Sequence, residues 1–361
     1  MQRLRLRNLS VFFISFAFCI LHVACGNSDQ NPNESNAELS SSGDSLSLIG
    51  SIESRGIISI GFEPDAPPLY YHKDDSAQGF DLELVKFWVN DIFPGVKINI
   101  VEAGYDELPE LLRKGQIDLI AGGRTNDNDT NEIYTDSYLS FGYSLIANRK
   151  DRARYTDLKS IANVRIGVFD DFAKDWVQKR LPNANIKVSG NKENIRTSAS
   201  DWMSELAEGN LDVIIYDYPF TVNEIKDYRN DLVVTNFNLN PDKLNEYVFV
   251  ANRNASEVMD LIDKINKSIK TYKTTKFFSQ AIIKYLPSTE IESISKPSLK
   301  DSYIVKPGET VYTIARDYLG DVNRWPEIYK MNNKLLASPD IIYPGQQIAK
   351  PTLWLAHQQK K

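Results

Sequence analysis

The sequence predicts an α/β chain that folds as two lobes, followed by a small strand-helix-helix-strand module. Short β-branched runs alternate with amphipathic segments from residue 55 to about residue 287. A helix-to-strand pattern at Gly115 recurs at Gly209, and residues 303–351 carry a separate set of strand, turn and helix signals. The length of 361 residues is sufficient for several domains.

The strand candidates of the two lobes are short β-branched or apolar segments. They are residues 57–62, 97–102, 118–122, 143–148, 164–169, 186–189, 213–216 and 247–251. Helical patterns fall between most of them, and this alternation is typical of layered folds with mostly parallel sheets. We therefore expect mostly parallel sheets.

The internal repeat favours two lobes of similar construction. Residues 115–120 are Gly-Gln-Ile-Asp-Leu-Ile and residues 209–214 are Gly-Asn-Leu-Asp-Val-Ile, each after an amphipathic helical pattern. Gly-x-apolar-Asp is also a common way to end a helix and begin a strand. Coincidence is therefore the alternative explanation.

The C-terminal module has a clear order of local signals. Its first residues alternate as a strand, Pro-Gly at 307–308 suits a turn, and Thr310 suits the N-cap of a helix that Gly320 ends. A second helical pattern starts at Trp325, and Tyr-Pro-Gly leads into a closing strand around Ile348.

This module resembles the LysM family, whose members bind the N-acetylglucosamine-containing glycan of peptidoglycan or chitin. The resemblance rests on Pro-Gly-Glu-Thr, Ile-Ala, Arg-Trp-Pro-Glu-Ile and Ile-Tyr-Pro-Gly-Gln. It implies a shallow sugar groove between the first loop and the loop before the last strand. The matching positions are Gly308, Glu309, Thr310, Val311, Pro339, Asp340, Ile341 and Ile342. The alternative is that Thr310 only caps a helix, and that Ile341 and Ile342 only fill a small core.

The N-terminus has the pattern of a targeting segment. Three arginines precede an apolar run at residues 11–21, which has the length of a signal sequence rather than of a membrane span. The following His-Val-Ala-Cys-Gly is similar to a bacterial lipobox, which implies lipidation of Cys25 and attachment to a membrane. His22 replaces the usual leucine, so conventional secretion is the alternative. Gly26 is not the aspartate of an inner-membrane retention signal, which favours the outer membrane.

Cysteine content and charge support an exported protein that does not bind nucleic acid. The other cysteine, Cys19, lies within the segment that would be removed, so the mature chain has no disulfide. Loss of the three arginines changes the formal net charge from -6 to -9, which disfavours nucleic acid. Residues 26–50 are polar and rich in Ser and Asn, as expected of a flexible tether.

Residues 55–287 resemble the family 3 periplasmic solute-binding proteins. The motifs that carry the resemblance are at residues 67–71, 79–84, 108–121, 137–138, 166–168 and 212–219. It implies a two-lobed type II clamshell that closes around a ligand in its cleft. The implied lobes are 55–147 with 240–287, and 148–239.

The complete domain plan combines the targeting pattern and the polar composition of residues 26–50 with both resemblances. It comprises a lipoprotein signal peptide (1–25), a tether (26–50), a solute-binding domain (51–290), a linker (291–302), the LysM module (303–351) and a tail (352–361).

The resemblance also implies ligand contacts in the cleft. Tyr105 would cover the ligand and Asp217 would pair with an amino group. Backbone and hydroxyl groups would come from Gly122, Gly123 and Thr125. A carboxylate in a closed cleft favours a cationic partner.

The departures from the family disfavour an ordinary free amino acid as ligand. The family's carboxylate-binding arginine falls on Thr130, and Arg124 is the candidate to replace it. The family's lobe-two Gly-Thr, which presents helix-terminal amides, falls near Asp171 and Phe172, so a ligand carboxylate would meet extra negative charge there. The structural alternatives are that Tyr105 packs beneath a helix, that Asp217 caps one, and that Arg124 pairs with Asp127 on the surface.

The sequence does not predict an enzyme. Residues 137–149 are similar to the F-type lytic transglycosylases, but their cutting domain, with its catalytic glutamate, has no counterpart in this sequence. The three histidines (His22, His72 and His357) cannot form a triad or a clustered metal site. No phosphate-binding glycine motif is present. We expect no metal and no cofactor.

The favoured hypothesis is a lipid-anchored periplasmic receptor that binds peptidoglycan glycan through LysM and a wall-derived muropeptide or peptide in its cleft. One alternative is an amino acid transport receptor with a wall anchor. The other is a non-catalytic scaffold or regulator of wall enzymes, in which the cleft is vestigial.

Overall fold

The structure, a computed structural model, describes residues 46–188, 195–288 and 302–351, with only the backbone described at 195–200. Cys25, the predicted signal peptide, most of the tether and the linker, and the predicted tail lie outside the described residues. None of the helices in the described ranges is long and apolar enough to cross a bilayer.

The described helices and strands alternate along the chain. The helices are α1 (Leu48–Arg55), α2 (Phe80–Ile92), α3 (Leu108–Arg113), α4 (Asp171–Arg180), α5 (Ile195–Glu208), α6 (Tyr218–Glu224), α7 (Val258–Lys273), α8 (Lys276–Tyr285), α9 (Val311–Leu319) and α10 (Trp325–Asn332). The strands are β1 (Ile57–Phe62), β2 (Tyr71–Lys73), β3 (Ser76–Gln78), β4 (Lys97–Glu102), β5 (Leu119–Ile120), β6 (Glu132–Tyr134), β7 (Leu139–Phe141), β8 (Tyr143–Asn148), β9 (Arg165–Val168), β10 (Asn185–Val188), β11 (Val213–Asp217), β12 (Leu232–Asn236), β13 (Asn245–Tyr247), β14 (Val250–Asn252), β15 (Ser302–Ile304) and β16 (Gln347–Ala349).

The first lobe is built on a five-stranded sheet of order β4-β1-β5-β14-β6. Helices α2 and α7 bury apolar faces against it, because their apolar residues recur every three or four positions. Trp88, Leu261 and Ile265 lie in the resulting core and are fully buried. This core holds β1 and β5 in parallel register, so their carboxyl ends open at the same edge.

The second lobe is built on a five-stranded sheet of order β10-β9-β11-β8-β12. Strand β8 belongs to this sheet, so the second lobe begins at Tyr143 rather than at residue 148 as the sequence suggested. Strand β8 is antiparallel to both of its neighbours, as β14 is in the first lobe. The expectation of mostly parallel sheets is wrong at these strands. Both follow directly from the connection between the lobes, and no crossover helix orients them.

The lobes are joined by a two-stranded crossover ribbon, which we define as β7 and β13. These strands pair antiparallel between the two sheets. The rings of Phe141 and Tyr247 lie 4.3 Å apart across the ribbon. The ribbon is the natural hinge of the molecule, because both chain passages between the lobes run through it.

The N-terminal boundary of the first lobe lies earlier than predicted. Helix α1 begins at Leu48, inside residues 26–50, and Ser47 caps it by accepting a hydrogen bond from the Gly50 amide at 3.1 Å. Ile52 is fully buried in the core of the first lobe. The polar composition of the segment as a whole obscured this short apolar pattern.

The C-terminal module has the predicted order of strand, helix, helix and strand, with β15 antiparallel to β16. Thr310 caps α9 in a reciprocal capping box with Thr313, and Gly320 ends the helix in the left-handed region at φ 82°. Asn332 connects α10 to β16, because its side chain donates to the Ala349 carbonyl at 3.0 Å and accepts from the Ala349 amide at 2.7 Å.

Candidate ligand cleft and glycan groove

The charged residues of the cleft follow the carboxyl ends of strands in both lobes. Glu63 follows β1 and Arg124 lies just beyond β5, while Asp170 follows β9 and Asp217 ends β11. Open α/β sheets bind ligands at this edge. Sequence reasoning missed Glu63 and Asp170, although each is the first charged residue after a buried strand.

Asp217 is directed toward the crossover ribbon rather than toward its own helix. It occupies the N-cap position of α6 but makes no side-chain capping bond. Its carboxylate accepts hydrogen bonds from the Tyr247 hydroxyl at 3.1 Å and from the Asn245 side chain. Burial, followed by the charge of Asp170, raises the pKa of Asp217 to about 8. An added cation would favour the ionised carboxylate.

Arg124 is buried beneath Tyr105 rather than paired on the surface. Its side chain is 4% exposed, and its guanidinium carbon lies 3.8 Å from the centre of the Tyr105 ring. Nη1 donates to the Tyr105 carbonyl at 3.1 Å, and Arg124 forms no ion pair within the described ranges. Asp127 instead accepts from the Tyr134 hydroxyl at 2.6 Å. The remaining guanidinium donors suit a carboxylate.

Glu63 and Asp170 add negative charge to the same region. Burial raises the pKa of Glu63, and the nearby Arg124 opposes this rise. Burial also raises the pKa of Asp170, although its carboxylate caps α4 by accepting from the Ala173 amide at 2.6 Å. The pKa of Tyr216 is raised by burial and by charges from both lobes, including Asp217, Asp170 and Glu63. Together with Glu224, these acids therefore lie close enough to affect the same tyrosine hydroxyl.

The two glycines predicted to offer backbone groups direct their amides into the protein. Gly122 and Gly123 donate to Oδ2 of Asp81 at 2.9 and 3.0 Å, and the Tyr138 hydroxyl donates to the same oxygen at 2.5 Å. Asp81 is fully buried, which raises its pKa to about 7. These amides are thus unavailable to a ligand. Thr125, beside Arg124, is half-buried.

Several candidate groove residues of the C-terminal module have structural roles. Thr310 caps α9, and Val311 and Ile342 lie in the core of the module. Glu309 accepts from the Tyr303 hydroxyl at 2.7 Å and from the Lys306 amide at 2.8 Å. These four side chains therefore cap a helix, fill the core or form hydrogen bonds within the module.

The remaining groove residues face the lobes. Asp340 pairs with Lys273 of α7 at 2.9 Å and accepts from the Ser140 amide of β7 at 2.7 Å. Ile341 belongs to the same buried apolar cluster as the first lobe, and Pro339 is buried. A Cβ atom added at Gly308 would lie 3.6 Å from Cβ of Lys276. Both loops of the groove therefore contact the lobes.

The described part of the chain contains no group of three or more His, Cys, Asp or Glu side chains arranged to hold a metal ion.

Two α/β lobes joined by a crossover ribbon, with charged residues at the carboxyl ends of strands in both, form the architecture of a two-lobed solute receptor. Residues 58–288 match the bacterial extracellular solute-binding proteins, family 3, and residues 303–351 match the LysM domain. The chain belongs to the bacterial extracellular solute-binding proteins, family 3, and carries a C-terminal LysM domain.

Known relatives and solved structures agree with this assignment. The chain is 24% identical to the L-cystine-binding protein TcyA of Bacillus subtilis over 69% of this chain and 86% of that protein. It is 30% identical to the membrane-bound lytic murein transglycosylase F of Aeromonas hydrophila, over 47% of this chain but only 34% of the transglycosylase. The fold is similar to an amino acid ABC transporter substrate-binding protein of Streptococcus pneumoniae bound to L-arginine. The TM-score is 0.53 and the identity 20%, over 67% of this chain and 96% of that one.

Proposed function

We propose that this chain is a cell-envelope receptor whose cleft binds a small ligand carrying both a carboxylate and amino groups, and whose LysM domain binds peptidoglycan. The observation that carries the cleft proposal is Arg124, a buried guanidinium without a carboxylate partner in the described ranges, in a region that also contains Glu63, Asp170 and Asp217. Such an arrangement suits a ligand with charges of both signs.

The roles of the cleft residues follow from their charges. Arg124 would bind the ligand carboxylate with two parallel N–H donors, while the Tyr105 ring holds the guanidinium in place. Asp217 would accept an ammonium group, and Glu63 and Asp170 would favour further positive charge nearby. The excess of acids over bases disfavours a ligand whose only charges are carboxylates.

A wall-derived peptide or muropeptide is the favoured ligand class. Peptides released from peptidoglycan carry carboxylates and amines together. The LysM domain would hold the receptor on the polymer from which such peptides are released, so the ligand and the anchor share one source.

A free amino acid is the second candidate, and the position of Arg124 favours it. The sequence suggested that the carboxylate-binding arginine had been lost at Thr130. Arg124, buried against the Tyr105 ring, would supply such a cation. TcyA is named for L-cystine, and the Streptococcus pneumoniae structure holds L-arginine. In this case the chain is a transport receptor with a wall anchor.

The location is the bacterial cell envelope, as both families imply. We further propose that Cys25 carries a lipid, that this lipid attaches the chain to the outer membrane, and that a tether precedes α1. Replacement Cys25→Ser should move the chain from the membrane fraction to the soluble periplasmic fraction. Unchanged membrane association would contradict lipid anchoring.

The cleft proposal is tested by thermal shift on the chain from residue 27, which contains every described residue. The probes are L-arginine, L-lysine, L-cystine, L-glutamine and a muropeptide digest of purified sacculi. A ligand at 100 times its Kd should stabilise the chain by about 2.7 kcal/mol. A shift with muropeptides that Arg124→Met abolishes supports the favoured ligand. A shift with amino acids alone supports the transport receptor, and no shift with any probe would refute a working cleft.

A further inference from the structure

The loop before the last strand of the C-terminal module is buried along its central part. Residues 336–342 connect α10 to β16 without regular secondary structure, and each of them is buried. Leu336 and Ile342 pack into the core of the module, whereas Ala337 and Ile341 belong to the cluster of the first lobe. Loops normally lie on the protein surface. This loop is instead covered on one side by the module and on the other by the first lobe.

A buried ion pair fixes this loop, and we call it the latch: Lys273 of α7 and Asp340 of the loop, with Tyr312 beside them. The side chains of Lys273 and Asp340 are 8% and 0% exposed. The Tyr312 hydroxyl donates to Asp340 at 2.5 Å and accepts from Lys273 Nζ at 3.3 Å. The pair and the tyrosine together join α7, α9 and the loop through one buried hydrogen-bonded network.

The second groove loop meets the first lobe on the adjacent helix. The separation of 3.6 Å between an added Cβ at Gly308 and Cβ of Lys276 leaves no space for a sugar ring between them. Lys276 begins α8, three residues after the latch lysine. One surface of the first lobe therefore contacts both sides of the groove.

The module also contacts the hinge region and the second lobe. Asn238, in the chain passage after β12, donates to the Tyr329 hydroxyl at 2.9 Å. Tyr343 donates to the Leu286 carbonyl of the first lobe at 2.6 Å and hydrogen-bonds Tyr218 of the second. Asp340 of the latch also accepts a hydrogen bond from the amide of Ser140 in the crossover ribbon.

We propose that the clamshell blocks the glycan groove of its own LysM domain, so that the module binds peptidoglycan only after the latch opens. This inference rests on the proposed function, because it requires that the module bind glycan. The lobes and the glycan compete for the loops 308–311 and 339–342. The apparent affinity for the wall is therefore reduced by the fraction of molecules that are docked.

A reversible cross-link tests the blocked state directly. Gly308→Cys with Lys276→Cys places two sulfurs on Cβ atoms about 3.6 Å apart, within the range that a disulfide spans. The chain from residue 27 lacks both natural cysteines, so the pair is unambiguous. Sedimentation with purified sacculi is measured for the oxidised and the reduced forms of the same protein, after mass spectrometry has verified the cross-link.

The oxidised form should bind sacculi at least tenfold more weakly than the reduced form, and reduction should restore binding. Equal binding of the two forms would overturn the inference while leaving peptidoglycan binding intact. If neither form binds sacculi and the unmodified chain does, the glycine replacement has damaged the groove, and the second variant below decides.

The second variant changes the clamshell and leaves the module untouched. Lys273→Met removes the cation of the latch and should increase sacculus binding about tenfold. Lys270→Met is the matched control, because Lys270 lies on the same helix and forms an exposed ion pair with Asp136 at 3.0 Å. If Lys273→Met bound sacculi no more tightly than Lys270→Met, the proposal that the latch blocks the groove would be refuted. Failure of every form to bind sacculi would refute peptidoglycan binding itself.

Discussion

The cleft and the groove bury a cation to nearly the same extent and use it in opposite ways. Over the whole residue, Arg124 of the cleft is 4% exposed and Lys273 of the latch is 7% exposed. Lys273 has a carboxylate at 2.9 Å, whereas Arg124 has an aromatic ring, one carbonyl and no ion pair in the described ranges. Donors remain for a ligand in the cleft, while the polar groups of the groove are already satisfied within the chain.

This difference separates a site that awaits a ligand from one that is occupied by its own protein. A buried charge without an opposite charge costs free energy, and a ligand that supplies the opposite charge removes that cost on binding. In a buried ion pair each charge already has its partner, so a ligand adds no electrostatic stabilisation unless the pair first separates. The cleft is consequently the primary site in the docked arrangement.

The largest expected effect is from Lys273→Met, which leaves Asp340 buried without its cation. Removal of one partner from a buried pair typically costs about 3–5 kcal/mol. We expect differential scanning calorimetry to resolve a separate transition of the C-terminal module in this variant, while the parent chain melts with the module docked. Lys270→Met should behave as the parent, and a single unshifted transition in Lys273→Met would contradict the comparison.

Arg124→Met should have the reverse profile, with a loss of binding and little change in stability. Hydrogen bonds to charged groups contribute about 1.5–3 kcal/mol, so affinity for the probe that binds should fall about 10- to 100-fold. Stability should change by less than about 1 kcal/mol, because Arg124 forms no ion pair in the described ranges and the nearby Glu63, whose pKa burial already raises, can protonate. Isothermal titration calorimetry measures the first effect and urea unfolding the second. Severe destabilisation with retained affinity would assign Arg124 to the core instead.

The cleft should also bind more tightly as the pH rises toward the pKa of Asp217, which is about 8. Below that pH the carboxyl of the free chain is mostly protonated, whereas an ammonium ligand favours the ionised form, so binding releases a proton. Affinity should rise up to about tenfold per pH unit between about pH 6 and 8 and level off above. Asp217→Asn should bind weakly and without this dependence. A flat profile for the unchanged chain would exclude Asp217 as the ammonium partner.

The smallest effect should come from the helix cap in the groove. Thr310→Ala removes the N-cap of α9 and should cost about 1 kcal/mol, while Thr310→Ser retains a capping hydroxyl. Amide hydrogen exchange in α9 should accelerate about fivefold in the alanine variant alone. Equal exchange in both variants would show that the cap contributes nothing and would restore the methyl and hydroxyl of Thr310 as candidates for sugar contact.

The C-terminal module was predictable because its structure is encoded locally. Thr310 caps a helix, Gly320 ends it and Asn332 joins the second helix to the last strand, so each signal acts within a few turns of chain or across one small sheet. The two-lobed fold and the family were likewise predictable from periodic patterns and motifs.

Tertiary contacts were not predictable from those patterns. The burial of Asp340 depends on Lys273 and on the Ser140 amide, which are distant in sequence. The bonds from the Gly122 and Gly123 amides to Asp81 could not be foreseen, because Asp81 lies in a helix about 40 residues earlier in the chain. The orientation of β8 and β14 follows from the route of the chain between the lobes, which composition does not report.

The latch takes one of its hydrogen bonds from the Ser140 amide, a backbone group in the ribbon about which the lobes would rotate. A rotation of the lobes must therefore either break this hydrogen bond or move the LysM loop together with the ribbon. If a bound solute changes the affinity of the chain for peptidoglycan, then bound peptidoglycan changes the affinity for that solute by the same factor, because coupling between two binding sites is reciprocal. The cell wall would then act as an effector of solute capture rather than as a passive support.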